Sequence, residues 1–190
     1  MGCANNVNMI LKLQNGTTLW LGNKSASLDI DFLKKNNIKV IVNCTKDLPF
    51  INDIDTQSYL SIETLRVSIN DTSSEVDNEM LSHKLQKILP LLYNRFVKDK
   101  KNILIHCYAG VSRSASFMAA FIYYIIKTDL KKQKISFENN IHNKKSLVSN
   151  TDTMKNIIVH IRKQRPCAFF YGTKLNFKDA LNNAFIDMNL

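Results

Sequence analysis

Short apolar runs rich in valine and isoleucine alternate along the chain with longer stretches whose apolar residues recur every three or four positions. The short runs are typical of buried β-strands, and the wider spacing is typical of helices that pack one face against a core. Strands are predicted at residues 18–22, at 39–44, within 59–69 and at 102–107. This alternation predicts an α/β fold with a central, mostly parallel β-sheet flanked by helices.

Helical spacing marks residues 81–96, 154–161 and 177–188, whose apolar positions are interpreted as core faces. Pro90 falls inside the first of these stretches, where it should kink or split the helix because proline has no backbone N–H to donate. Residues 127–150 are polar and rich in lysine, and are expected to form an exposed insertion.

The length and charge of the chain limit the number of domains and the classes of partner that are expected. With 190 residues, the chain suits one globular core, so a single domain over residues 11–190 is expected after an N-terminal segment at 1–10. The longest apolar run, residues 115–126, is too short to cross a bilayer. The formal net charge of +10 favours acidic partners, which include phosphoproteins, nucleic acid and anionic membrane surfaces, without choosing among them.

Four cysteines lie far apart in the sequence, without a CxxC pair or a signal peptide: Cys3, Cys44, Cys107 and Cys167. This pattern argues against a disulfide framework and against a zinc site, and it predicts free thiols in a reducing, intracellular compartment such as the cytoplasm or nucleus. Gly2 and Cys3 offer sites for a two-part lipid anchor, but Asn6 stands where the myristoylation pattern requires Ser or Thr. Membrane binding is therefore expected only if Gly2 and Cys3 are acylated.

The stretch ILIHCYAGVSRSAS, residues 103–116, runs from a predicted strand through a loop into a helix that begins near Ser114. Such a unit directs backbone N–H groups and the positive end of a helix dipole into one concavity, which suits a tetrahedral oxyanion. Gly110 permits a tight turn, and the planar guanidinium of Arg113 can bind two phosphate oxygens at once.

Cys107 stands at the mouth of this predicted anion site, where the dipoles and Arg113 would favour its thiolate form. A lone cysteine at a strand end is more often a small buried apolar residue. The arginine that follows through a glycine-containing loop favours a nucleophile instead.

The residues HCYAGVSRS, 106–114, resemble the HCxxGxxR[ST] signature of cysteine-based protein phosphatases, and of the dual-specificity branch in particular. Other segments follow in the order that this family shows, namely LWLGN at 19–23, DFLKKNNIKVIVNCT at 31–45, SINDTSSEV at 68–76 and the pair Arg165 and Pro166. The resemblance implies a protein tyrosine phosphatase-like fold that needs no metal or cofactor.

The resemblance also implies roles for individual residues. Cys107 would attack phosphorus, and the phosphate would be held by Arg113 and by the backbone amides of the loop, which comprises Tyr108, Ala109, Gly110, Val111, Ser112 and Arg113. Ser114 would hydrogen-bond the sulfur when it leaves, and His106 would support the loop. Asp71 holds the position of the general acid, with Asp77 as the alternative, although Asp71 also suits an ordinary turn.

The function expected is hydrolysis of phosphotyrosine and of phosphoserine or phosphothreonine in proteins. An RNA 5′-triphosphatase on the same scaffold is allowed by the charge, but its loop more often resembles HCTHGxNRTG than the one seen here. A non-catalytic phosphoprotein-binding module and a lipid phosphatase are less favoured, since the candidate catalytic residues are present and extra loop lysines are not. Cys44 could form a disulfide with Cys107 after oxidation, although such a residue is more often plain core.

Overall fold

A computed structural model describes residues 3–54, 61–69, 75–132, 150–169 and 178–188. Five strands in these ranges form one sheet with the order β1-β2-β5-β3-β4. Their bounds are β1 Val7–Lys12, β2 Thr18–Gly22, β3 Ile38–Asn43, β4 Glu63–Arg66 and β5 Asn102–His106. Only β1 pairs antiparallel, with β2, and the other pairings are parallel. The mostly parallel sheet predicted from the sequence is thus confirmed.

Helices connect and cover these strands. Their bounds are α1 Lys24–Ser27, α2 Ile30–Lys35, α3 Ile51–Ile54, α4 Glu75–Tyr93, α5 Arg113–Lys132, α6 Asn150–Gln164 and α7 Lys178–Asp187. The opening residues of the predicted 127–150 insertion continue α5, and residues 133–149 lie outside the described part of the chain. No helix in the described ranges is both long enough and apolar enough to cross a membrane.

The predicted split at Pro90 is wrong, because α4 runs through this residue to Tyr93 and then continues as a π-helical turn over Asn94–Lys98, while a kink at Pro90 stays a prediction. The missing N–H of Pro90 removes one backbone hydrogen bond from the helix. However, Leu85, Leu89 and Leu92 are all buried on either side of it. Their packing holds the two parts of α4 together, so the tertiary contacts override the local preference.

Both faces of the sheet are covered. Along β5, Ile103 and Ile105 belong to the larger core under α4, α5 and α6, whereas Leu104 belongs to a smaller core with Leu33 of α2. This division follows from the strand itself, in which successive side chains point to opposite faces. The three central residues of β5 are all apolar because this strand is buried on both faces.

Strand β1 was not among the predicted strands, and it crosses the expected boundary between the N-terminal segment and the domain at residue 10. It lies at the edge of the sheet and is held by antiparallel pairing with β2. Only Ile10 and Leu11 of its residues are buried. In the sequence, so short a buried apolar run is difficult to distinguish from the pattern of a loop.

The expectation that all cysteines are free is wrong for Cys3 and Cys167, which form a disulfide with their Cα atoms 5.4 Å apart. The local sequence pattern does not indicate this pairing, because the two cysteines are 164 residues apart in the sequence. The strand β1 and the turn after α6 bring both residues to the same side of the domain. Cys44 and Cys107 are free, as predicted. While bonded to Cys167, the Cys3 sulfur cannot accept the acyl chain considered above.

Candidate active site

The loop of residues 107–112 joins the end of β5 to the start of α5, and Cys107 is its first residue. Because β5 lies in the middle of the sheet, the loop opens at the carboxyl edge of the parallel strands, where α/β proteins commonly bind ligands. The Cys107 sulfur accepts a hydrogen bond from the Gly110 backbone N–H at 3.2 Å and another from the Ser114 hydroxyl at 3.1 Å. Both donors stabilise negative charge on the sulfur.

Gly110 cannot be replaced without moving its surroundings. Its φ angle of +70° lies in the left-handed region, and a Cβ atom there would lie 2.6 Å from the Gly22 carbonyl oxygen and 2.7 Å from Arg165 Nη2. The backbone of the loop therefore packs directly on β2 and on a buried arginine. Glycine is required here both for its conformation and for its lack of a side chain.

In the sequence, Arg165 stands out only because it forms, with Pro166, a pair that the family resemblance includes. In the structure it is fully buried behind the loop. Its guanidinium donates from Nε to the Gly110 carbonyl at 2.9 Å and from Nη2 to the Ala109 carbonyl at 3.4 Å. Burial lowers the pKa of Arg165 from its usual value, while the nearby Cys107 opposes that change. Arg165 therefore adds a second positive charge near the sulfur.

Arg113 is the first residue of α5 and is half-buried, so the positive end of the helix dipole directly follows the loop that begins at Cys107. Cys44 follows β3 and donates its backbone N–H to the His106 carbonyl at 2.8 Å, next to the loop of residues 107–112. Burial raises the pKa of Cys44 well above its usual value, the charge of Cys107 raises it further, and Arg113 opposes both effects. Cys44 is therefore a protonated thiol at neutral pH.

His106 is the last residue of β5, and its side chain is fully buried. Neither ring nitrogen makes a hydrogen bond of ordinary geometry, although the Cys107 backbone faces the ring. Burial lowers the pKa of His106 to about 4; the Cys107 backbone opposes this effect, and Arg66 adds to it. The imidazole is therefore neutral at pH 7 and cannot serve as a cation for a phosphate.

Lys24, which the sequence did not single out, is attached to the rim of the loop through Tyr108. Its backbone N–H donates to the Tyr108 carbonyl at 3.2 Å, and its ammonium lies 3.1 Å from the Tyr108 hydroxyl and 4.4 Å from the ring centre. Tyr108 is exposed, in contrast to buried Cys107. A cation over an aromatic face is favourable, so this pair gives the rim a positive edge.

The remaining predicted residues divide into two groups. Ala109 is exposed on the loop, and Val111 and Ser112 are half-buried there; their carbonyls accept hydrogen bonds from the Phe169 and Ser116 backbones respectively. The candidate acid Asp71 lies outside the described residues. Asp77 falls within α4, but its side chain is also outside the described part of the structure.

Comparison with solved structures shows the same fold in other phosphatases. The human DUSP28 structure aligns with a TM-score of 0.64 at 16% identity, covering 100% of this chain and 99% of that one. The Yvh1 phosphatase domain from Chaetomium thermophilum aligns with a TM-score of 0.65 at 15% identity, covering 96% of both chains.

Sequence comparison finds more similar relatives. Protein AMV078 of Amsacta moorei entomopoxvirus is 31% identical over 127 residues, which are 64% of this chain and 70% of that protein. The dual specificity protein phosphatase Mpk3 of Drosophila melanogaster is 33% identical over 110 residues, 56% of this chain, but the match spans only 24% of Mpk3.

A family model described as the catalytic domain of dual specificity phosphatases matches residues 19–163. The match runs from β2 to the last turn of α6 and includes the whole loop around Cys107. Since it covers well over half of the sequence, the chain belongs to the dual specificity phosphatase catalytic-domain family.

Proposed function

We propose that this chain hydrolyses phosphate esters of tyrosine and of serine or threonine in phosphorylated proteins, through a phosphocysteine intermediate. One observation carries the proposal: the Cys107 sulfur accepts hydrogen bonds from Gly110 and Ser114 at the point where β5 enters α5. A sulfur that accepts two such bonds is prepared to carry negative charge and to attack.

In the first step, the Cys107 thiolate attacks phosphorus and forms an S–P bond while the P–O bond to the substrate breaks. The Arg113 guanidinium and the loop amides bind the phosphate oxygens that lie around the reacting centre. Asp71 protonates the departing oxygen, which leaves as an alcohol or a phenol.

In the second step, a water molecule attacks the phosphocysteine and gives up a proton to the Asp71 carboxylate. The S–P bond breaks, inorganic phosphate is released, and the electron pair returns to Cys107 as a thiolate. The Ser114 hydroxyl, 3.1 Å from the sulfur, stabilises this leaving group. Neutral, buried His106 supports the loop from the end of β5.

The direct test compares initial rates of the purified chain on a phosphotyrosine peptide, a phosphothreonine peptide and a triphosphate-ended RNA. Both peptides should be hydrolysed, and Cys107→Ser should abolish turnover while inorganic phosphate still binds, because the amides and Arg113 remain. Turnover by Cys107→Ser above background would exclude Cys107 as the nucleophile. Release of phosphate from the RNA orders of magnitude faster than from either peptide would exclude the protein substrates.

The role of Asp71 as the general acid can be tested by comparing substrates with poor and good leaving groups, because only a poor leaving group needs its proton. Asp71→Asn should slow the hydrolysis of alkyl phosphates by about 10²- to 10⁴-fold, but slow an aryl phosphate whose phenol leaves without a proton far less. Equal losses on both substrates would remove Asp71 from this role, and Asp77→Asn would be the variant to compare.

An intracellular, reducing location suits this chemistry, because oxidation of Cys107 would remove the nucleophile. Acylation of Gly2 and Cys3 would add a membrane anchor, and it requires the reduced form of Cys3. Mass spectrometry of the N-terminal peptide from expressing cells would show whether either residue carries an acyl chain.

A further inference from the structure

The N–H donors of the buried Arg165 guanidinium bond acceptors in two parts of the chain, the loop and the N-terminal residues. Its Nε and Nη2 atoms bond the loop, as described above, and its Nη1 atom donates to the Asn5 carbonyl at 3.1 Å and to the Asn8 side-chain Oδ1 at 2.7 Å. Within the described ranges, no carboxylate lies in ion-pair distance of Arg165. A buried charge without an ion pair depends on hydrogen bonds to neutral acceptors.

Asn8 is the side-chain acceptor in this set, and its bond is the shortest of the four. It lies on β1 opposite Leu21 of β2, so sheet pairing fixes its backbone. The family model begins its match at residue 19, after β1 has ended. Asn8 therefore contributes to the support of the loop from a segment outside the matched family domain.

The bonds from Arg165 have a direct consequence for the loop amides. The described backbone has no cis peptide bonds, so the C=O and the following N–H of a peptide unit point in opposite directions. Because Arg165 binds the Ala109 carbonyl, the Gly110 N–H faces away from it, and that N–H donates to the Cys107 sulfur. In the same way, the bond to the Gly110 carbonyl orients the Val111 N–H.

We propose that Asn8 is a positioning residue for the phosphate loop, acting through the guanidinium of Arg165. This inference rests on the proposed role of residues 107–112 in phosphate binding. Asn8→Ala leaves Nη1 with the Asn5 carbonyl alone, so the guanidinium is less strictly oriented and the peptide units that it holds gain freedom. The loop amides then stabilise an oxyanion and the Cys107 thiolate less well.

The experiment uses the full chain in one reducing buffer and measures three properties. These are kcat and KM on a small aryl phosphate, inhibition by inorganic phosphate, and the rate at which iodoacetamide alkylates Cys107, followed by mass spectrometry. Asn8→Ala should weaken phosphate inhibition and slow alkylation about ten-fold each, the effect of losing one hydrogen bond to a charged group. Asn8→Gln, which keeps a neutral amide oxygen as the acceptor for Arg165, should restore both at least in part.

Asn15→Ala is the matched control, because Asn15 lies in the same β1–β2 hairpin and, among the described residues, its side chain bonds only the Thr17 backbone N–H. It should lower the melting temperature about as much as Asn8→Ala but leave the three properties unchanged. Wild-type behaviour of folded Asn8→Ala, equal losses in Asn15→Ala, or no recovery in Asn8→Gln would each overturn the inference. Alkylation that phosphate blocks, in a wild-type chain without turnover, would contradict the proposed function and leave this inference standing.

Discussion

At the scale of single residues, the candidate site is built largely from backbone groups whose direction is imposed by neighbours. Gly110 donates to the Cys107 sulfur through its N–H, accepts from Arg165 through its carbonyl, and packs against Gly22 where a side chain would stand. His106 shows the same dependence on surroundings, since burial rather than a hydrogen-bonding partner decides its protonation. Two predictions belong to this scale.

The first prediction concerns pH and stability. The pKa of His106 is about 4 in the folded chain and about 6.5 when unfolded, so only the unfolded state gains a proton between these values. The free energy of unfolding should therefore be independent of this histidine above pH 6.5 and fall by about 3 kcal/mol as the pH drops to 4. Urea titrations at several pH values should show that His106→Asn has a shallower decline. Parallel declines in both proteins would contradict the buried, neutral histidine.

The second prediction is that Gly110→Ala lowers kcat/KM on the order of 10²-fold, since the added methyl displaces an oxyanion donor and Arg165. Gly16→Ala is a control for backbone strain alone, because Gly16 also has a positive φ, of +88°, but nothing lies within 4 Å of its added Cβ. That variant should lose about 1 kcal/mol of stability and keep its activity. Similar activity in the two variants would mean that the close approach at Gly110 is not needed.

At the scale of elements, β1 and the turn after α6 act together although they lie at opposite ends of the chain. His160 of α6 is bonded to the Ile10 carbonyl of β1, Arg165 is bonded to Asn5 and Asn8, and Cys167 is bonded to Cys3. The edge strand and the residues before it are thus attached at successive points to the end of α6 and the turn after it. Its attachment keeps the support of the loop in place.

The disulfide makes this attachment measurable. Dithiothreitol reduces the bond to two thiols, and the unfolded chain then regains the freedom of a loop of 164 residues. Without reductant, wild type should be about 2–4 kcal/mol more stable than the Cys3→Ser, Cys167→Ser double variant, and the difference should vanish with dithiothreitol. Denaturant unfolding in both buffers measures it. A wild-type chain that is equally stable in both buffers would show that the bond is absent or without effect.

At the scale of the whole molecule, the positive charge is expected to affect the encounter with substrate, which precedes the bond-breaking steps. The formal net charge is +10, and Lys24 adds a cation at the rim of the loop. Long-range attraction raises the rate of encounter with acidic partners and is screened by salt over about 10 Å at 0.1 M. The charge therefore affects capture of a phosphoprotein more than the later bond-breaking steps.

It follows that kcat/KM on an acidic phosphopeptide should fall several-fold between 0.05 and 0.5 M salt, roughly in line with the screening of surface charge, while kcat changes little. A small aryl phosphate with a neutral tail serves as the control and should respond much less. Lys35→Gln, which removes one exposed charge from α2, should behave like wild type. An equal salt response on both substrates would show that the surface charge does not steer substrate.

The sequence by itself determined the features that depend on local chemistry. Hydrophobic periodicity located β2, β3, β4, β5 and the main helices, and the order HCYAGVSRS located Cys107 and, at the start of the following helix, Arg113 and Ser114. These features are readable because each follows from residues close together in the chain. The same reasoning predicted a possible split at Pro90, and this split is absent because buried leucines of the same helix keep it continuous.

Tertiary structure alone decided which distant residues meet. Nothing in the local pattern shows that Asn8 and Arg165, 157 positions apart, share a hydrogen bond, or that Cys3 and Cys167 are bonded. Their proximity comes from the antiparallel pairing of β1 with β2 and from the path of the chain after α6. Burial likewise makes His106 neutral and raises the pKa of Cys44, because desolvation depends on every element that surrounds a group. Such effects are sums over the whole fold, and no short stretch of sequence contains them.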